Sequence, residues 1–393
     1  MNKHVLNTVI QEYIDKNIDS ETASLLLTKT SFSNIELKEI IEQIKSKKKC
    51  KTKLTTWYNT PNIYYPNKLN IEQTSSETTA SYKSKIISGK TIIDLTGGFG
   101  VDSYYFSKVF KEVTHCEIDK NLSKIVSHNY TQLGIDNIKT VNNDGINYLK
   151  QTDKTYDWIY VDPSRRHDSK GKVFYLKDCL PNIPKHLNIL FEHTNNILVK
   201  TSPMLDVSIG LTELKHTKAI HIIAINNDVK ELLFLLSKGY KGNIQINTLN
   251  IKGKKNEDFK FIYSTESSSK AYFSLPLTYL YEPNAAVLKS GAFKTIAKEL
   301  NIHKLHLNSH LYTSNKLMDF PGRAFKIIEQ IPYNKKTVKK VLGNTKANIT
   351  TRNFPESVNQ LRKKFNIKDG GETYIFFTIN VNDEKIAIIC KKT

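Results

Sequence analysis

Apolar residues recur at helical spacing at the start of the chain, as Val5, Leu6, Val9, Ile10 and Tyr13, and again as Ile40, Ile41 and Ile44. That period predicts two or three short helices over 1–48. Ser33-Asn34-Ile35-Glu36 reads as a capping box for the later helix, which then ends in Lys45-Ser46-Lys47-Lys48-Lys49. Lysines there suit the negative end of a helix dipole and could also meet phosphate. Residues 51–72 lose the period and hold Trp57, Tyr58, Tyr64 and Tyr65 among Pro and Asn, so they read as an ordered linker or a loop packed on the next domain. A helix starts near Ser75. From Lys90 short β-branched runs alternate with helical stretches. Strands are predicted at 91–95, 113–118, 138–142, 158–161, 196–200, 219–225 and 244–251, which implies a parallel sheet covered by helices on both faces. After about residue 265 the rhythm stops and a compact α+β pattern follows. It closes in a hairpin, 372–379 and 385–389, with its turn at Val381-Asn382-Asp383.

The chain has 393 residues, enough for two or three domains. No apolar run approaches the roughly 20 residues that span a bilayer. The N-terminus lacks the apolar core of a signal peptide. The 4 cysteines are scattered without a CxxC pair, which argues for a reducing, cytoplasmic location and against disulfides or structural zinc. His303, His306 and His310 have a spacing that could align metal ligands on a helix. Lys304-Leu305-His306-Leu307 alternates like a strand instead, so no metal is expected.

The formal net charge is +20, from 58 basic and 38 acidic residues. A surplus this large favours a polyanionic partner, although a lysine-rich genome would also raise it. Its distribution favours the partner: residues 266–393 carry 21 basic and 10 acidic residues, about twice the density of surplus found before them. Residues 335–364 hold Lys335, Lys336, Lys339, Lys340, Lys346, Arg352, Arg362, Lys363 and Lys364 against Glu356 alone. That pattern suits phosphates on a folded RNA, read more by shape than by sequence. A merely solvated lysine-rich face is the plainer alternative.

Ligands of doubly wound sheets bind at the carboxyl ends of the strands. The first such end reads Asp94-Leu95-Thr96-Gly97-Gly98-Phe99-Gly100-Val101-Asp102. Its glycines allow a tight turn and close backbone approach. The second ends in Glu117-Ile118-Asp119, about 20 residues on, a spacing that suits a carboxylate on a ribose. The third ends in Asn142-Asn143-Asp144, where Asp144 could face an adenine. A dinucleotide fingerprint would place its third glycine at Ser103, so NAD is disfavoured. The fourth ends in Asp162-Pro163-Ser164-Arg165-Arg166. A polar residue followed by Pro at that position is the mark of class I nucleic-acid methyltransferases.

These segments, with the entry segment Glu72-Gln73-Thr74-Ser75 and with Lys200-Thr201-Ser202-Pro203, resemble a bacterial family of class I methyltransferases that use S-adenosylmethionine (SAM). Members carry a ferredoxin-like segment and a THUMP-like domain at the C-terminus, and the resemblance runs from about residue 55 to the end. It implies an α/β chain with a Rossmann-like methyltransferase sheet, an N-terminal helical region and a C-terminal α+β module. The implied divisions are a helical region over 1–50, a SAM-dependent domain over 51–265, a ferredoxin-like segment over 266–320 and a THUMP-like RNA-binding domain over 321–393. SAM would be held by Gln73, Asp94, Thr96, Gly97, Gly98, Gly100, Glu117, Asp119 and Asp144. Asp162 and Pro163 would face the target atom. Arg165, Arg166, Lys200, Lys339, Lys340, Lys363 and Lys364 would contact the substrate. THUMP-like domains imply RNA, with tRNA ahead of rRNA.

The acceptor stays open on the residues themselves. Asp162 or the Pro163 carbonyl could accept a hydrogen bond from an exocyclic amine, so a base nitrogen is expected. The second proline and the aromatic that complete the usual exocyclic-amine motif are replaced by Ser164 and Arg165. Carbon methylation of uracil needs a cysteine after the fifth strand, where none occurs. Rival readings are an inactive RNA-binding protein with this fold, a methyltransferase for a small molecule or a protein, and an NAD oxidoreductase.

Overall fold

The computed structural model describes residues 1–27, 32, 34–165, 174–253 and 255–393. The chain divides into two compact units. One comprises Met1–Thr201, Ser208–Thr217 and Phe234–Tyr240; the other comprises Ser202–Val207, Lys218–Leu233 and Lys241–Thr393.

The first unit opens with helices α1 (Thr8–Lys16), α2 (Thr22–Leu26), α3 (Leu37–Lys53), α4 (Thr55–Asn59), α5 (Lys68–Gln73) and α6 (Glu77–Ile86). Ser33 lies outside the described residues, and Glu36 occupies the N-cap of α3 with no side-chain cap bond. The boundary expected at residue 50 falls inside α3. The helix continues because Ile40, Ile41, Ile44 and Cys50 bury one face. That face shares a core with Trp57, Tyr64, Tyr65, Phe99, Val101, Leu122, Ile125 and Tyr130, so these helices pack with residues 99–130 rather than form a body of their own. The stretch expected as a linker is largely helical, with Tyr64 and Tyr65 buried. Three of the four lysines in the run are paired internally: Lys47 with Asp15, Lys48 with Asp19 and Lys49 with Glu72.

Alternation begins with β1 (Thr91–Asp94), α7 (Val101–Ser107), β2 (Glu112–Cys116), α8 (Lys120–Gln132), β3 (Ile138–Val141), α9 (Gly145–Lys150) and β4 (Trp158–Val161). The two-residue strands β5 (Ser164–Arg165) and β6 (Cys179–Leu180) pair with each other. Then come α10 (Ile183–His193), β7 (Asn196–Thr201) and α11 (Val207–Glu213). The parallel strands stand in the order β7-β4-β1-β2-β3. The order reverses between β1 and β4, so a ligand crevice opens at their carboxyl ends.

β8 (Thr217–Ile225) and β9 (Asp228–Ser237) are joined by Asn226 and Asn227, both left-handed, as a two-residue turn demands. β9 belongs to neither unit alone. Its apolar run, Leu232 to Leu236, has no strand-like alternation because it is buried on both faces, which is why the sequence period did not reveal it. In the second unit β10 (Gln245–Lys252) pairs in parallel with β8 and antiparallel with β11 (Lys255–Ile262).

After α12 (Tyr263–Ser268) the second unit continues with β12 (Tyr279–Pro283), α13 (Ala285–Ser290), α14 (Thr295–Glu299), β13 (His303–Lys304) and β14 (Tyr312–Ser314). β15 (Gly322–Pro332), α15 (Lys335–Leu342), β16 (Asn348–Thr351), α16 (Val358–Phe365), β17 (Thr373–Ile379) and β18 (Lys385–Lys392) complete it. Among the described residues these strands form one sheet, β13-β14-β12-β15-β18-β17-β16. β15 pairs with β12 on one edge and β18 on the other, so the sheet runs unbroken through the expected joint near residue 320. Buried Glu282 reinforces the joint by holding both Arg323 and Arg352.

In the first unit Lys83 of α6 and Asp102 of α7 form an ion pair at 3.1 Å, with Lys83 fully buried. Ser75 and Tyr160 donate to the same carboxylate, each at 2.7 Å. Breaking a buried pair leaves one uncompensated charge, so Lys83→Met should cost about 3–5 kcal/mol in denaturant unfolding. Replacing both partners, as in Lys83→Met with Asp102→Leu, should cost less. A loss below about 1 kcal/mol for the single variant would contradict this account.

Candidate active site

The glycine loop is shaped by what lies beneath it. A Cβ on Gly97 would sit 2.1 Å from the His115 ring, and one on Gly100 would sit 2.2 Å from the Tyr130 hydroxyl. Gly98, at φ +55°, has nothing nearer than 3.8 Å and faces open space. Two of the three glycines are therefore required by packing, and the third presents bare backbone to the crevice. Asp94 is buried under the loop, where it accepts from the Thr96 amide at 3.0 Å and the Ser103 hydroxyl at 2.8 Å. Burial pushes its carboxyl up to about 7 despite those bonds. His115 Nδ1 lies 3.2 Å from Ser103 Oγ and 3.1 Å from Tyr130 Oη, and burial pulls its imidazole down to about 3. The imidazole is thus a neutral packing element.

Glu117 joins the ends of β1 and β2. One carboxylate oxygen accepts from the Gly98 amide at 2.9 Å and the other from the Asp119 amide at 2.7 Å. Burial raises its carboxyl above the usual range, against the pull of these amides. Ile118 beside it is 70% exposed, an apolar surface at the rim of the strand ends. Asn142 donates to the carbonyls of Glu117 and Ile118 and fixes that rim. Asp119 and Asp144 cap helices: Asp119 accepts from Leu122 at 2.7 Å and Asp144 from Asn147 at 2.8 Å. Gln73 is exposed at the end of α5, and Ser75 anchors its segment on Asp102.

Thr96 ties the loop to the acid–proline turn, its hydroxyl accepting from the Asp162 amide at 2.7 Å. Pro163 is buried. The Asp162 carboxylate is held by the Lys200 ammonium from β7. Gly98, Glu117 and Asp162 are therefore linked at adjacent strand ends through Thr96 and the loop. The Arg165 side chain and all of Arg166 lie outside the described residues.

Lys53, Lys83, Asp102 and His115 were not singled out in the sequence. Lys53 donates to the Ile71 and Glu72 carbonyls at 2.9 and 2.8 Å. Burial and neighbouring Lys200 bring its ammonium down to about 8. In sequence it is one more lysine after a lysine-rich stretch. Asp102 alone carried a signal, through its place at the end of the glycine loop.

The basic stretch of the second unit separates into two sets. Arg352 is taken by Glu282 and Arg362 by Asp369, while Lys364 is taken by Glu356 and the Tyr333 hydroxyl. Lys335, Lys336, Lys339, Lys340, Lys346 and Lys363 are exposed. α15 and α16 bury Val338, Leu342, Leu361 and Phe365 in a common core and leave their lysines outward. His306 meets Asp383, and His310 stacks on Phe293. Among the described residues no group of three or more His, Cys, Asp or Glu could hold a metal.

A parallel sheet whose order reverses between β1 and β4, with a glycine loop and an acid–proline turn at its carboxyl ends, defines a class I methyltransferase fold. The chain matches family models for a spermine/spermidine synthase domain over 92–227, a ferredoxin-like domain over 279–321 and a THUMP domain-like domain over 322–392. It is 31% identical to the "putative methyltransferase from Porphyromonas gingivalis W83", whose crystal structure it matches at a TM-score of 0.89 over 100% of this chain and 98% of that one. The chain therefore belongs to the bacterial family of class I SAM-dependent methyltransferases with C-terminal ferredoxin-like and THUMP-like domains. A SAM-dependent methyltransferase from Agrobacterium tumefaciens aligns at 16% identity over 41% of this chain and 60% of that one; its TM-score, 0.31, carries no weight. No curated protein matches the chain.

Two outcomes follow from the loop. Gly97→Ala should lower the melting temperature by several degrees, because the His115 ring must move. Asp94 is protonated more readily in the folded than in the unfolded chain, so its contribution is present below about pH 4 and is lost as pH rises through about 7. Asp94→Asn should flatten that fall in calorimetric melting between pH 5 and 8. An unchanged slope would place the carboxylate in water.

Proposed function

We propose that this chain transfers a methyl group from SAM to RNA, with tRNA favoured over rRNA. The observation that carries the reading is the linkage of Gly98 to Glu117 and of Thr96 to Asp162, which gathers a donor cradle and an acceptor-facing turn at adjacent strand ends. The residues fit the donor. Gly98 offers backbone with open space above it, and Glu117 keeps lone pairs for two ribose hydroxyls. Ile118 offers an apolar plate for an adenine. Gly97, Gly100 and Asp94 shape the loop from below. Gln73, Asp119 and Asp144 remain proposed donor contacts. SAM supplies an activated methyl on a sulfonium, so the chain's task is to bind, align and exclude water.

RNA is favoured by the +20 charge, by exposed Lys339, Lys340 and Lys363, and by the THUMP-like domain. Lys364 leaves this set because Glu356 holds it. Arg165, Arg166 and Lys200 remain proposed substrate contacts beside Asp162 and Pro163. A cytoplasmic location goes with an RNA substrate and with four buried cysteines free of disulfides; among the described residues no helix is long and apolar enough to cross a membrane. The acid–proline turn taken alone favours a base nitrogen as acceptor.

Calorimetry should show SAM binding and no NAD binding. Glu117→Ala should weaken SAM by about 10- to 100-fold, the range of hydrogen bonds to a charged group. Charge reversal at Lys339, Lys340 and Lys363 should weaken RNA and shallow the plot of log affinity against log salt by about 0.9 per lost phosphate contact, with SAM binding unchanged. Unaltered RNA affinity would defeat the assignment of these lysines to the RNA contact. RNA binding without methyl transfer would identify an inactive RNA-binding relative.

A further inference from the structure

Resting on the RNA reading above, we propose that Arg323 and Arg352, fixed on the two oxygens of Glu282, form a preassembled fork for one phosphate of the RNA backbone.

The fold of the second unit assembles the pair. Glu282 on β12 stands opposite Arg323 on β15. Arg352 follows β16 at the far edge of the same sheet, its amide donating to the Phe377 carbonyl at 3.0 Å. β15 shifts register between Ile327 and Glu329, and Leu280, Leu305 and Leu311 share a core with Phe376, Ile386 and Ile388. The sheet thus folds over itself, and Arg352 reaches back to the carboxylate.

Each arginine commits only one edge to Glu282. Arg323 donates from Nε and Nη2 to Oε2, the first at 2.8 Å. Arg352 donates from Nε and Nη2 to Oε1, at 3.2 and 2.9 Å. A guanidinium has five N–H donors, so this pairing leaves the edge made by Nη1 and the second hydrogen of Nη2. Among the described residues neither Nη1 has a hydrogen-bond partner, and Glu282 is the only acid paired with either arginine. Arg362 has no such edge, because its Nη1 donates to the Ile367 carbonyl and its Nη2 to the Ala347 carbonyl and Asp369.

The Glu282 side chain is 5% exposed, whereas each arginine side chain is 35% exposed. One carboxylate is balanced by one cation. The second leaves a positive charge at the surface, within a stretch, residues 266–393, that carries 21 basic and 10 acidic residues. An arginine free in water loses side-chain freedom when it grips a ligand, and these two have lost it already. Arg323 also lies over the Phe325 ring, 5.3 Å from its centroid, which holds its plane. A planar edge with two donors matches two oxygens of a phosphate, where a lysine offers a point charge.

The full chain and bulk cellular RNA test the fork. Phenylglyoxal modifies the outer nitrogens of accessible arginines. Arg323 and Arg352 should react in the free protein, and RNA should protect both while SAM protects neither. No reaction in the free protein would mean closed outer edges and would overturn the proposal. Modification unchanged by bound RNA would overturn the fork and leave the RNA reading standing, whereas failure to bind any RNA would overturn both. Equal protection by inorganic phosphate, at the same concentration of phosphate groups, would mark a small-anion site and overturn the RNA contact. The double variant Arg323→Lys with Arg352→Lys keeps both charges for Glu282 and removes the second edges. It should weaken RNA binding by about 10-fold or more. Its plot of log affinity against log salt should be shallower by about 0.9, with SAM affinity unchanged. Earlier melting with the same RNA affinity and the same salt slope would make the pair structural only and overturn the assignment.

Discussion

The carboxylate of Glu117 on the amide of Gly98 is the contact around which the crevice is organised. A glycine loop is useful only if it holds one shape, and glycine loses more conformational freedom on folding than any other residue. Glu117 offsets that cost by joining the loop to the end of β2, while the Thr96 hydroxyl joins it to the end of β4. Beneath it, His115 and Tyr130 fill the space that side chains on Gly97 and Gly100 would need. Loop, acid and acid–proline turn therefore form one constrained unit.

The same lysine side chain serves three purposes in this chain, and surroundings decide which. Lys83 is fully buried against Asp102 and locks α6 to α7. Lys53 at the end of α3 and Lys200 at the end of β7 are partly sheltered, where low dielectric makes each charge count for more. Lys339, Lys340 and Lys363 stand in water on helices whose apolar edges are sunk in the sheet. There they act together as a field, screened within about 8–10 Å at ordinary salt. Net charge alone conceals this division.

The C-terminal half shows how little a domain boundary in sequence need mean in space. The two family segments meet at residues 321 and 322, yet β15 pairs with a strand from each. Glu282, from the first segment, binds Arg323 and Arg352 of the second. The segments are two stretches of one sheet.

The parallel sheet, the glycine loop, the acid at the end of β2, the acid–proline turn and the closing hairpin were all legible in the residues. Period, turn chemistry and strand-end position are local, and local patterns survive in one dimension. Strand β9 was not legible, because a strand buried on both faces does not alternate. Nor was the continuity of α3 through residue 50, since Cys50 and Trp57 lie in a core completed by Phe99, Leu122 and Tyr130, far along the chain. The partners of Lys53, Lys83, Lys200 and Lys364 were equally hidden. A charge reveals its partner only when the chain has folded, because pairing depends on distance and burial, and neither is written in the order of the residues.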